Sequence, residues 1–340
     1  MGNPTTFSSA RQFIGLAKEA TQGTAVTPTV TVPVEKFDPQ DQDTWLDDQA
    51  LRGSMVETYG RIAGVTKIEW SLSGPFFPDT FGFFASNIMG EVATTGSGAP
   101  YAHAFTVLNT GAGQPDSLTI TDNQGTTDTV GARAYSGCCV SELTVKGNAE
   151  SSLITMEAKG IGWKSAAAAS APTSSPSTEQ PIAAWRFILG LNGPASGGTL
   201  VSTCGEFEIS AKRDLKPYYT GQNSRYPFFI QRDKLGVSGK LKFVAVADET
   251  VLTYQLNNTQ PRFQLIVTNG VTPTSAATYR ALTVDVQKAA WKTTKIDRGD
   301  AAVGYDVEWD GIALTTNAGA SGGYCPMKLT LNNAVAASTY

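Results

Sequence analysis

Polar and apolar residues alternate with a period of two through much of the chain. The first half shows it in Thr29-Val-Thr-Val-Pro-Val34, Thr66-Lys-Ile-Glu-Trp-Ser-Leu72, Ser117-Leu-Thr-Ile-Thr121, Ser141-Glu-Leu-Thr-Val-Lys146 and Leu153-Ile-Thr-Met-Glu157. The second half repeats it in Glu206-Phe-Glu-Ile-Ser210, Lys240-Leu-Lys-Phe-Val-Ala245, Phe263-Gln-Leu-Ile-Val-Thr268, Leu282-Thr-Val-Asp-Val286 and Gly304-Tyr-Asp-Val-Glu-Trp309. Alternation rich in β-branched residues and punctuated by Gly, Asn, Asp and Pro marks strands with one buried and one wet face. Such strands belong to antiparallel sheets packed on another sheet or a helix.

Two short helices interrupt them. Phe81, Phe84, Ala85 and Ile88 recur at helical spacing behind the cap residues Pro78-Asp79-Thr80, and Gly90 ends the run. A second helix is expected to start at Asp248 and to bury Val251, Leu252, Tyr254 and Leu256 before Asn257-Asn258. Each helix follows a strand, and the order recurs. Gly64-Val-Thr66 and Gly236-Val-Ser238 open matching strands, Ser117 to Gly125 resembles Phe263 to Gly270, Tyr135 precedes Leu143-Thr-Val145 as Tyr279 precedes Leu282-Thr-Val284, and 153–160 resembles 305–311. The stretch 165–178 is rich in Ser, Ala and Pro, as connectors are. The fold class expected is therefore mostly β. Two related antiparallel β-sandwich or barrel-like domains, each with one short flanking α-helix, occupy 1–164 and 181–340 around a linker at 165–180.

Composition narrows the chemistry. The 340 residues are 41% hydrophobic and 16% charged, and no apolar run approaches the ~20 residues of a membrane-spanning helix. The first eleven residues lack the apolar core of a signal peptide, so a soluble, non-exported chain is expected, with no membrane partner. Met1-Gly2 with Thr6 fits a myristoylation pattern too short to carry weight. Asn257-Asn-Thr259 is a glycosylation sequon that matters only on export.

One histidine, His103, leaves little means of acid–base work near neutral pH, and its setting reads as surface or edge packing. Cys138, Cys139, Cys204 and Cys325 have neither disulfide nor zinc spacing and read as small buried hydrophobes. Gly236-Val-Ser-Gly-Lys-Leu241 lacks the earlier glycine and the hydroxyl of a phosphate-binding loop. No catalytic, metal or cofactor site is expected. The net charge of −4 argues against nucleic-acid readout.

That total conceals a contrast. Between 38 and 61, Asp38, Asp41, Asp43, Asp47, Asp48 and Glu57 face Arg52 and Arg61, a net of −4. In the equivalent segment, Lys212, Arg213, Lys216, Arg225, Arg232 and Lys234 face Asp214 and Asp233, a net of +4. The acidic spacing does not suit a calcium loop, with Pro39, Trp45 and Leu46 inside it. Both segments read as long polar excursions between strands, and their opposite charge suggests mutual docking.

Ile14-Gly-Leu-Ala-Lys-Glu-Ala-Thr-Gln-Gly-Thr-Ala-Val-Thr-Pro-Thr29, Arg52-Gly53 after an acidic stretch, Gly-Cys-Cys-Val-Ser-Glu-Leu-Thr-Val at 137–145 and the repeated strand, loop, strand, helix order resemble the tail tube (major tail) proteins of long-tailed bacteriophages. The resemblance implies a structural virion protein, assembled in the host cytoplasm, whose sheet edges join those of neighbours into rings that stack into a DNA conduit. With two tube-type domains per chain, a trimer with pseudo-sixfold symmetry is expected in preference to a hexamer. The long loops at 38–61 and 212–234 would contact other subunits or the adjacent ring, other tail proteins would cap the tube, and DNA would pass an acidic-biased bore without binding. The alternative is a β-sandwich binding or adhesin module, for which Trp163, Trp185, Trp291 and Trp309 are the aromatic candidates.

Overall fold

A computed structural model describes residues 8–125, 131–150, 152–168, 173–177, 179–246, 250–269, 281–299, 302–337 and 339–340. The first half supplies β1 (Phe13–Lys18), β2 (Val30–Val32), β3 (Lys36–Asp48), β4 (Gly60–Pro75), α1 (Phe81–Met89), β5 (Gly90–Thr95), β6 (Tyr101–Val107), β7 (Leu118–Asn123), β8 (Ala132–Asn148), β9 (Thr155–Gly162) and β10 (Lys164–Ala167). The second supplies β11 (Phe187–Leu191), β12 (Leu200–Val201), β13 (Cys204–Tyr218), β14 (Phe229–Val244), α2 (Thr250–Leu256), β15 (Phe263–Thr268), β16 (Ala281–Val286), β17 (Ala289–Asp297), β18 (Gly304–Gly311) and β19 (Lys328–Asn333). The chain is mostly β, with open antiparallel sheets packed as a sandwich and not closed as a barrel.

The central layer runs β3-β4-β9-β8-β13-β14-β18-β17, antiparallel at every step. Four strands come from each half of the chain, and the halves meet where β8 pairs with β13 from Glu142↔Lys212 to Asn148↔Glu206. β8 is long enough to serve two layers: its first part leaves the central sheet and pairs with β7 and β10. β7 then carries β1, and β1 carries β2. A separate seven-stranded sheet, β12-β11-β15-β16-β19-β6-β5, also mixes the halves through β19 and β6. The Ser/Ala/Pro-rich stretch begins as strand β10.

Period-two patterning decides what each layer buries. Ile68, Trp70 and Leu72 on β4, and Val237, Leu241 and Phe243 on β14, point into one continuous core with Phe207, Val307 and Trp309. The same slot is filled twice in reversed order. Trp70 on β4 lies opposite Gly160 on β9, whereas Gly239 on β14 lies opposite Trp309 on β18. A Cβ on either glycine would come within 2.7 Å of the facing indole, so each large ring requires a bare partner across the ladder.

α1 is buried along its whole length and ends at Gly90, whose φ of 99° suits glycine. Thr80 occupies its N-cap without a side-chain bond. Asn87 on this helix satisfies backbone groups of the neighbouring strand, donating to Cys138 O at 3.2 Å and accepting from Val140 N at 2.7 Å.

Some sequence expectations need correction. α2 is half-buried: Val251, Leu252 and Tyr254 pack against the core, with Tyr254 stacked on Trp291, whereas Leu256 is exposed and not on the buried side. Its proposed cap Asp248 lies outside the described residues, as do Met1, Gly2, Thr6, Gly270 and Tyr279. His103 is not at the surface. It lies on β6 at 0% exposure, with Nδ1 bonded to Thr94 Oγ1 and Nε2 facing Asn333 Oδ1 and Val335 O, and burial holds it below the ordinary imidazole range. The segments 38–61 and 212–234 are not loop excursions. Both are long β-hairpins, β3–β4 and β13–β14, and only 49–59 and 219–228 turn between the strands.

Candidate assembly surfaces

The core covers one face of the eight-stranded sheet and leaves the other bare. That face carries seven ion pairs: Lys36–Asp38, Lys67–Glu69, Lys159–Glu157, Lys212–Glu142, Lys240–Glu308, Lys242–Asp297 and Lys292–Asp310. Register adds Glu206, Glu208 and Asp306 with Lys146 and Lys295, leaving one carboxylate in excess. Every cation among these is lysine. The arrangement follows from the strand pattern: residues two apart on one strand share a face, as in Lys36–Asp38, Lys67–Glu69 and Lys159–Glu157, and so do residues directly opposite across a ladder, as in Lys212–Glu142 and Lys240–Glu308.

Beyond the sheet, both hairpins continue as arms. In each, the ladder slips by one residue: between Asp43 and Trp45 opposite Thr66 and Ala63, and between Arg213 and Leu215 opposite Leu235 and Arg232. Bulges twist and re-aim a hairpin, so the outer part leaves the plane of the sheet. The second arm lies back over the first half. Its tip is held by Thr66 N donating to Arg225 O at 2.9 Å and by Arg225 Nε donating to Gly64 O at 2.6 Å. Its underside is held by Gln22, which accepts from Ile230 N, and by Arg232, which donates to Pro115 O at 2.5 Å and Asp116 O at 3.0 Å.

Among the described residues, the first arm has no such seat. Trp45, Leu46, Val56 and Ile62 are exposed, and Leu51 and Met55 are as open as in an extended chain. Leu46 and Ile62 are opposed across the ladder and share one face of the arm, and exposed apolar surface there marks an interaction site. Charge within the arm is spent on itself. Asp47 meets Arg61 at 2.7 Å, which lowers the carboxyl's pKa, and Asp48 meets Arg52, which also lies over Tyr59.

The twelve charged residues singled out by sequence therefore part company. Arg225 and Asp43 join the basic and acidic segments at 2.7 Å within one chain. Asp38 and Lys212 belong to the charged sheet face. Asp41 accepts from Ser165 Oγ at 2.7 Å and faces Arg133. Asp47, Asp48 and Arg52 stay on the first arm, Lys216 lies over Tyr218, and Lys234 is exposed on β14. Arg213 and Arg232 are buried, at 6% and 3% exposure. Burial, with Arg232 beside it, pushes Arg213 down to about 10. The exposed apolar residues of the first arm were missed, since a polar run, Asp38 to Asp43, hides the strand that presents them.

Other groups are structural. Cys138, Cys139 and Cys325 are buried free thiols, and burial raises each above the ordinary range. Among the described residues, no three His, Cys, Asp or Glu gather as a metal site. Trp291 and Trp309 are core, and Trp185 is exposed with the Arg186 guanidinium over its ring.

Two motif segments noted in the sequence meet through Glu19. Its buried carboxylate accepts from Ser117 Oγ at 2.5 Å, Thr119 Oγ1 at 2.7 Å, Gly23 N at 2.9 Å and Gly137 N at 2.9 Å. This ties the turn at Gly23 after β1 to the Gly-Cys-Cys bend of β8, where Gly137 holds φ of 65°. The family model described as phage tail tube protein matches residues 9–311. No curated protein matches the chain.

Proposed function

The chain belongs to the phage tail tube protein family and is a structural component of the virion tail; from that premise we propose that its copies close into rings of three, stacked into a hollow tube that conducts DNA into the host. The observation that carries this reading is that the outer strands of the eight-stranded sheet, β3 and β17, each pair on one side only among the described residues. Within the chain, β3-β4-β9-β8 and β13-β14-β18-β17 follow the same pairing order, and the end of the first joins the start of the second as β8–β13. The slips match too: Asp43/Trp45 corresponds to Arg213/Leu215, and Val140/Glu142 on β8 corresponds to Trp291/Thr293 on β17. These correspondences favour one tail-tube unit written twice, at 1–164 and 181–340, with 165–180 between them.

The outer edges, β17 and β3, are thus counterparts of the two strands already joined. An exposed edge is a template for pairing, and a head-to-tail contact that closes yields a ring. Strand direction permits closure, since an even number of antiparallel strands leaves the two edges opposite in sense. Three copies give 24 strands. At ~4.8 Å spacing and ~40° tilt, the backbone ring is about 50 Å across, and six copies would double it. The smaller bore suits one duplex. The bulky layers must lie outside such a ring, so the charged face lines the bore. There the slight acidic excess is smaller than the acidic bias expected from sequence. Lysines engaged by carboxylates offer phosphate little, which suits passage without adhesion.

Transferring the β8–β13 register places Gln40 opposite Lys295 and Pro39 opposite Ile296 of the next copy. Asp38 then faces Asp297, each already held by its own lysine, Lys36 or Lys242. The test is a full-length chain carrying Gln40→Cys and Lys295→Cys. Opposed residues stand ~4.5–5.5 Å apart, within disulfide reach. Oxidation should give covalent dimers and trimers and stop at three, with rings in electron micrographs. Absence of rings rejects the reading. A stronger yield from Gln40→Cys with Thr293→Cys rejects the register, and a ladder ending at six rejects the trimer.

A further inference from the structure

The second arm shows how such an arm is covered. Past its bulge it crosses the first half of its own chain and seats Arg225 against Gly64, Thr66 and Asp43. Its underside residues Ile230 and Arg232 are buried by the contact. The first arm has the same bulge and a tip of similar length, yet its apolar residues stay in water.

Counting outward from the bulges puts Arg213 where Asp43 stands, Leu235 where Thr66 stands and Val56 where Arg225 stands. The charges are reversed at the corresponding seat. The sheet offers Arg213 in place of a carboxylate, and the tip offers Glu57, beside Val56, in place of an arginine. Arg213 also wants a partner: its Nε and Nη1 are buried with no hydrogen-bond acceptor among the described residues. An unpaired buried guanidinium is strongly unfavourable, and an incoming carboxylate removes that cost.

We infer that the first arm of one copy lies across the second half of the adjacent copy in the same ring, with Val56 against Leu235 and Glu57 accepting from Arg213. This rests on the ring reading above, and repeats between chains a contact already present within one. It gives the apolar arm an occupant, a second copy of this chain, and moves its main contact from the next ring to the same ring.

The test is Val56→Cys with Leu235→Cys in the full chain, calibrated by Arg225→Cys with Thr66→Cys, which should close within one chain. Oxidation should link copies in a ladder that ends at the same number as the edge pair Gln40→Cys and Lys295→Cys. Efficient linking of the edge pair without the arm pair overturns the inference and leaves the ring standing. A ladder of the arm pair that runs past the ring number also overturns it, since the arm would then reach another ring. If neither pair links and no ring forms, the ring reading falls and the inference with it. Glu57→Lys should raise the concentration needed for rings by about thirtyfold or more, as for a buried charge pair turned repulsive, while the circular dichroism of the free chain stays unchanged. Unimpaired assembly of that variant rejects the Glu57–Arg213 pair.

Discussion

The two hairpins β3–β4 and β13–β14 share a length, a bulge and a place in the sheet, yet one arm is seated and the other is bare. The difference lies in where the halves sit along the chain. The second arm finds the first half beside it because both belong to one polypeptide joined at β8–β13. Among the described residues, no half of this chain occupies the corresponding place beside the first arm. On the proposed doubling, the chain carries one satisfied contact and one open contact of each kind. The open ones are the edges and arm that an assembly would use.

The largest effect is expected at the reversed tryptophan–glycine slot, where Trp70→Ala and Trp309→Ala should each lower the stability of the free chain by about 3–5 kcal/mol in urea unfolding. Costs that differ greatly between the two would deny that the slots are equivalent. Next, Arg232→Ala withdraws the guanidinium from Pro115 O and Asp116 O and should cost about 3 kcal/mol. Its counterpart on the bare arm, Ala63→Ser, should leave the free chain's unfolding curve in place. The smallest effect belongs to the seated tip. Arg225→Ala breaks a half-exposed ion pair and one bond to Gly64 O, for about 0.5–1 kcal/mol. It should raise proteolytic cleavage within 219–228 toward the rate at 49–59. Equal rates in the unaltered chain would show that the second arm is not seated at all.

Much of the architecture was legible because period-two alternation is local. Ile68, Trp70 and Leu72 announce β4 without knowledge of any partner. β3 was not legible: Asp38 to Asp43 is polar on both faces, and it is a strand because β4 offers it a ladder from Lys36↔Ser73 to Asp43↔Thr66. His103 read as peripheral because one residue cannot show that β19 will cover it. The opposite charges of the two hairpins were visible, but not their distribution. Of the basic residues, Arg225 reaches an acidic one of the other segment, whereas Arg213 and Arg232 turn inward.

The β class, the two short helices and the likeness to tail tube proteins could be read from sequence alone, since all of these reside in short-range periodicity and compact motifs. Only the tertiary structure decided that the halves share one continuous sheet, that lysine and carboxylate alternate across its open face, and that one arm is covered while its twin is not. Those facts depend on which strand edges meet, and edge pairing is a long-range choice made by shape and register, which local residue patterns do not encode.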